Sequence, residues 1–155
     1  MAGARRFEDL IVWQLSVRIR DRIDVLVASG AAARDFKFRD QIRDSSASPP
    51  RNIAEGFLRF NPAEFAYFMN VAKGSLGETQ NHLLHGKEQK YFNEKDFTEL
   101  WRLICRAIKA ANHFHAYLRE QSQKKEGASR AKRDIAPERP KEPEEPKEPK
   151  EPGTL

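Results

Sequence analysis

Between Leu10 and Val27 the aliphatic residues Ile11, Leu15, Ile19, Ile23 and Leu26 recur at intervals of four, four, four and three. That spacing puts them on one face of an α-helix; a half-buried strand would alternate its side chains every two residues. The period returns in Phe38, Ile42, Ile53 and Phe57, and again in Phe65, Phe68, Met69, Ala72, Leu76 and Leu83. It returns a last time in Phe97, Leu100, Trp101, Ile104, Ile108, Ala111, His115 and Leu118. No strand pattern competes. Four amphipathic helices on short connections predict an all-α fold, an antiparallel up-down-up-down four-helix bundle.

Local start and stop signals place the boundaries. Gly30, in "SGAAARD", suits the capping position after the first helix. In "FNPAEF", Asn61 is an N-cap, Pro62 fits the first helical position and Glu64 fits a capping box, while Phe60 and Phe65 have the spacing of a hydrophobic staple. "FNEKDF" repeats the pattern with Asn93, Asp96, Phe92 and Phe97.

After Arg119 the apolar period stops. Residues 121–155 carry 9 of the 28 Lys/Arg and 8 of the 23 Asp/Glu, and repeat a Lys-Glu-Pro unit. Such a segment has too little apolar surface to offset the entropy of ordering, so residues 7–120 are expected to form the bundle and 121–155 a disordered tail. The first 120 residues are then left with 19 basic and 15 acidic side chains, a mild excess that permits contact with nucleic acid without demanding it.

The single cysteine, Cys105, excludes an intramolecular disulfide. Together with an N-terminus that lacks an apolar signal segment, it predicts a cytoplasmic protein. No apolar run approaches the length of a membrane span.

Little in the chain points to catalysis. A bundle invites a di-iron centre, but no Glu-x-x-His pair occurs, and Glu78, His82 and His85 have no matching second set of ligands. His113 and His115 diverge on a helix, and Cys105 has no base near it in sequence. No phosphate-cradling glycine loop is present. The expectation is therefore no enzyme, no cofactor, no metal and no small-molecule substrate.

The cations Arg18, Arg20, Arg22, Arg39, Arg43, Arg51, Arg59 and Lys73 are the candidate nucleic-acid contacts. Arg51, Glu55 and Arg59 are four apart and suited to pairing along one helix face. Trp13, Val17 and Val25 lie off the first helix's main stripe and are the candidate oligomer surface.

Pro49 and Pro50 interrupt the second helix. Neither has an amide hydrogen, so the Ser45 and Ser46 carbonyls lose their helical donors, and the neighbouring Ser45, Ser46, Ser48 and Asn52 side chains are the expected substitutes. If the second and third helices turn back near Asn61, Pro49 faces Lys73 and Gly74. A kink fitted into a glycine notch is the resulting expectation.

Three segments, "FEDLIVWQ" (Phe7 to Gln14), "QIRDSSASPPRNIAEG" (Gln41 to Gly56) and "AKGSLGET" (Ala72 to Thr79), together resemble the four-helix bundle family encoded within intervening sequences of bacterial 23S ribosomal RNA genes. The resemblance spans Phe7 to Glu120. It implies a bundle that assembles into a homo-oligomeric ring, with five copies expected, no known enzymatic activity, and RNA or an RNA–protein complex as partner. A protein–protein adaptor without nucleic-acid contact is the competing reading. Pro50, Asn52, Ile53, Ala54, Glu55 and Gly56, with Gly74, Ser75, Leu76 and Glu78, carry the motif and are assigned to packing or assembly. The chain departs from the usual pattern at Pro49, where an aliphatic residue is typical, and at Asp44, where a basic one is.

Overall fold

The computed structural model describes residues 4–135. A 3₁₀ turn at Phe7–Asp9 leads into α1 (Ile11–Leu26), a short α2 (Gly30–Arg34), α3 (Phe36–Leu58), α4 (Pro62–Glu88) and α5 (Glu94–Ile135). α3 packs on α4, α4 on α5, and α1 closes the bundle against both α3 and α5. Each neighbouring pair is antiparallel: Asp24 on α1 reaches Arg43 on α3, Ser48 on α3 meets Ser75 on α4, and Gln80 on α4 meets Cys105 on α5.

The stripes form the core, with one shift of register. Val12, Leu15, Ile19 and Ile23 are buried on α1, whereas Ile11 is 68% exposed. Ile42, Ile53, Met69, Leu76, Leu83, Leu100 and Ile104 are fully enclosed between the helices. At the end where the chain enters α1, Phe7, Phe57, Phe65 and Phe114 pack edge to face.

The helix starts follow side-chain chemistry. Asn61 Oδ1 accepts from the Ala63 N–H at 2.9 Å, and Asn93 Oδ1 from the Asp96 N–H at 2.8 Å, each satisfying a donor that the first helical turn leaves over. Asp35 caps α3 by accepting from the Phe38 N–H at 3.0 Å. The expected staple at Phe60 does not form. Phe60 has φ 52° and is 83% exposed, because the left-handed backbone that turns α3 into α4 aims its ring outward, and Phe65 packs on Phe57 and Phe114 instead.

Two further boundaries differ from the sequence reading. α1 stops at Leu26, and Gly30, with φ +73°, opens α2 rather than capping α1. α5 continues unbroken past Glu120 to Ile135, where a disordered tail is expected from 121; helical hydrogen bonding propagates once begun, and that stretch holds no proline. The Lys-Glu-Pro repeat itself lies outside the described residues.

The double proline does not end α3. Pro49 and Pro50 are both buried within one continuous helix. Ser45 Oγ donates to the Ile42 carbonyl at 3.1 Å, Ser46 Oγ to that of Arg43 at 3.0 Å, and Asn52 Nδ2 to that of Ser48 at 2.9 Å. The side chains thus hold the carbonyls flanking the break rather than those of Ser45 and Ser46.

The register across α3 and α4 is the one the turn at Asn61 implies, but the notch is absent. A Cβ added to Gly74 would meet nothing within 4 Å. Close approach occurs at Gly56, where a Cβ would lie 2.5 Å from the Phe65 ring and 2.8 Å from Phe68 Cβ, and at Gly86, against Phe92 and Phe38.

Candidate functional site

The cations picked out in the sequence fall into different settings once the helices are assembled. Four arginines are neutralised locally: Arg20 on Asp21 at 2.7 Å, Arg39 on Asp40 at 2.9 Å, Arg43 on Asp24 at 3.1 Å and Arg59 on Glu55 at 2.6 Å. Arg39 also lies over the Phe36 ring and Arg59 over that of Phe68. Arg51 turns back along its own helix to donate to the Ala47 carbonyl at 3.1 Å, so it does not pair with Glu55. Exposed pairs of this kind add little stability, but they cancel charge that a polyanion would otherwise meet.

Arg18 and Arg22 lie in a different setting. They form one wall of a groove of about 840 Å³ between α1 and α5, with Lys95, Arg102 and Arg106 on the other side and Leu100 and Leu103 beneath. The two carboxylates in its lining are already engaged, Glu94 with Lys87 at 3.2 Å and Glu99 with Arg22 at 3.5 Å. Arg22 also donates to Asp96 at 2.6 Å, which ties α1 to the start of α5.

Arg18, Lys95, Arg102 and Arg106, and Lys109 one turn further on, have no carboxylate partner among the described residues. Arg102, Arg106 and Lys109 follow at intervals of four and three on one edge of α5, so their backbone positions rise in steps of about 6 and 4.5 Å. Clustered, uncompensated cations above apolar walls concentrate positive potential where a phosphate chain would lie.

Arg102, Arg106, Lys95 and Lys109 were not distinguishable in the sequence as contacts. Their spacing was visible, but every solvated helix face carries such residues, and the lack of an opposing carboxylate on α1 is a property of the tertiary structure. Lys73, by contrast, faces α5 on the far side, beside His115 and Arg119. Burial, then these two cations, holds the His115 imidazole below the usual histidine range and favours its neutral form.

The second and third of the segments named above build the α3–α4 seam rather than the groove. Thr79 Oγ1 donates to Ser45 Oγ at 3.1 Å and lies 2.8 Å from the Ser75 carbonyl, Ser75 Oγ and Ser48 Oγ share a hydrogen bond at 2.8 Å, and Asn52 Nδ2 reaches Ser48 Oγ at 3.0 Å. Pro50, Ile53, Gly56 and Leu76 are buried beside this ladder and Ala54 is half-buried. Glu55 serves Arg59, and Glu78 stands on the surface 3.7 Å from His82.

The residues nominated for assembly are dispersed. Trp13 packs edge-on against Phe7 at 5.4 Å, Val17 is half-buried, and Val25 is 63% exposed on the outer side of α1. A more continuous apolar surface lies on α4, where exposed Tyr67, Val71 and Gly74 follow one another at intervals of four and three. Tyr67 also packs against Phe68 at 5.5 Å.

Chemistry-bearing groups stay apart. Among the described residues no three His, Cys, Asp or Glu side chains converge as a metal site. Cys105 is exposed and lies 3.5 Å from Gln80 Nε2, because its position on α5 turns it toward the α4 edge rather than the core. No described helix is long and apolar enough to cross a membrane.

These features describe a helical bundle with one charged, open seam. The chain belongs to the 23S rRNA-intervening sequence protein family, whose pattern it matches over residues 8–113. Among solved structures it is similar to a protein of unknown function from the S23 ribosomal protein family of Bacteroides thetaiotaomicron. That likeness has 20% identity and a TM-score of 0.64, and covers 70% of this chain and 98% of the other. At that identity it speaks for the fold. No curated protein matches the chain.

Proposed function

We propose that this protein is a non-enzymatic, homo-oligomeric scaffold that binds RNA, alone or within an RNA–protein complex, through the groove between α1 and α5. The observation that carries the reading is the row of Arg18, Lys95, Arg102, Arg106 and Lys109, whose charges have no carboxylate partner among the described residues while other arginines are neutralised. A nucleic acid supplies what the row lacks, a regular series of phosphates. The family's description, which refers to 23S ribosomal RNA, agrees with that choice.

Assembly strengthens weak phosphate contacts, because every copy in a ring would add its groove at high effective concentration. The outward face of α4 at Tyr67, Val71 and Gly74 supports self-association, since exposed apolar side chains there flank bare backbone onto which a second helix fits closely. It also supports the competing reading of an adaptor that binds only proteins.

The test is purification of the full chain from its own host at moderate salt, followed by measurement of its mass in solution and sequencing of any nucleic acid retained. A multimer carrying a reproducible RNA that high salt removes is the expected result. A multimer free of RNA would overturn the RNA reading in favour of the adaptor, and a monomer would overturn the scaffold.

A further inference from the structure

The family match ends at residue 113, yet α5 runs on to Ile135. Its last neighbours on the bundle are around Ala63, beside which Arg119, Ser122, Gln123 and Glu126 lie. From Gln123 to Arg130 every side chain is exposed. Residues 121–135 therefore form a helical arm of about 22 Å, by the rise of an α-helix, projecting from the end of the bundle where α3 turns into α4.

From Gln121 to Arg130 the arm is polar all round: Ala128 is its one apolar side chain beyond glycine, and Ser122 Oγ donates to Glu126 within it. A helix of this kind has no stripe to lay against an apolar groove or against a second copy of itself. Its charge, however, is one-sided: Lys124, Lys125, Arg130, Lys132 and Arg133 against Glu126 and Asp134.

Position links the arm to the groove. Lys124 is eighteen residues beyond Arg106, which is five turns of helix, so the two backbone positions share one edge of α5 about 27 Å apart. Arg102, Arg106 and Lys109 stand on that edge too.

We infer that the α5 arm is a second phosphate-binding surface, which extends the track of the groove so that one RNA backbone runs from Arg102 along α5 to Lys124 and is flanked there by Lys125 and Arg130 on the neighbouring sides of the helix. The inference rests on the RNA reading of the groove and adds a separate contact to it. Charge complementarity selects the occupant: a polyanion matches the arm's charge, and Gln121 to Arg130 offer no apolar stripe to a protein.

The experiment uses the full chain and the variant Lys124→Gln/Lys125→Gln/Arg130→Gln, with affinity for a labelled RNA long enough to span α5 measured across a salt series. Loss of three phosphate contacts flattens the slope of log affinity against log salt by about 2 and weakens binding about tenfold or more near physiological salt. Solution mass and melting temperature stay at the parent's values, since Lys124, Lys125 and Arg130 are exposed.

An unchanged slope in a chain that still binds RNA overturns the arm alone and leaves the groove standing. Absence of RNA binding by the parent chain overturns both. A fall in solution mass on substitution would make the arm a contact between copies and would overturn the inference as well.

Discussion

The two seams of the bundle use polar residues in opposite ways. Between α3 and α4 the polar groups are small, buried or half-buried, and satisfied: Ser45, Ser48, Asn52, Ser75 and Thr79 bond to one another and to backbone carbonyls, and Gly56 lets Phe65 and Phe68 close over the helix. Between α1 and α5 they are long, charged and held apart over an open groove, and among the described residues only Arg22 is tied across it, to Asp96 and Glu99. The first arrangement specifies a register, since each buried hydroxyl costs free energy unless its partner is opposite. The second adds little to folding and leaves positive charge for a ligand. The motif that most strongly marks the family thus belongs to the seam that builds the body, and the candidate binding surface lies on the other.

The contrast is broken most directly by closing the tight seam. Gly56→Ala puts a methyl group against the Phe65 ring and Phe68 Cβ, and is expected to lower stability by about 2 kcal/mol in denaturant unfolding, because neither neighbour can withdraw without moving α4. Thr79→Val keeps the shape but removes the donor to Ser45, which is expected to cost about 1 kcal/mol. Retention of full stability in both variants would show that α3–α4 packing is looser than described.

Gly74→Ala sharpens the comparison from the other side. Gly74 lies on α4 but faces out of the seam, so within one copy the added methyl group meets no neighbour, and the gain in helix propensity is expected to raise the stability of the dissociated chain by up to about 0.8 kcal/mol. In the assembled protein the same methyl group is expected to weaken self-association through that face, and an unchanged solution mass at every concentration would move the contact between copies elsewhere.

A further outcome concerns acid. The Phe38 N–H first, and then the Tyr91 hydroxyl at 2.8 Å, hold the Asp35 carboxyl below its usual range. Its folded value is lower than its unfolded one, so its contribution is complete above about pH 4 and is lost as pH falls through the folded value. In an acid-unfolding titration Asp35→Asn should remove that part of the pH dependence while retaining much of the cap.

What could be read in advance follows the range of the interactions. The caps at Asn61 and Asn93 are local, involving a side chain and an amide two or three residues away, and they stand as the sequence suggests. The core stripes repeat at a fixed period and were legible for the same reason. Phe60 has the right spacing for a staple, but its direction is set by a left-handed φ at the turn, which spacing does not encode. Gly74 looked like a notch because Pro49 lies near it in register; which side of α4 faces the kink depends on the rotation of the whole helix. The groove was the least legible feature, since Arg102 and Arg20 are equally basic in sequence and differ only in whether a carboxylate reaches them.

That difference is the central claim, and one comparison tests it. RNA affinity over a salt series would be measured for Arg18→Gln/Arg102→Gln/Arg106→Gln, which removes three unpaired cations, and for Arg20→Gln/Arg39→Gln/Arg59→Gln, which removes three paired ones. Both variants lose the same formal charge. The expected result is a salt slope shallower by about 2 and affinity at least about tenfold lower in the first variant alone, with the second close to the parent. Equal losses in the two variants, or no loss in either, would contradict the assignment of the α1–α5 groove as the binding surface.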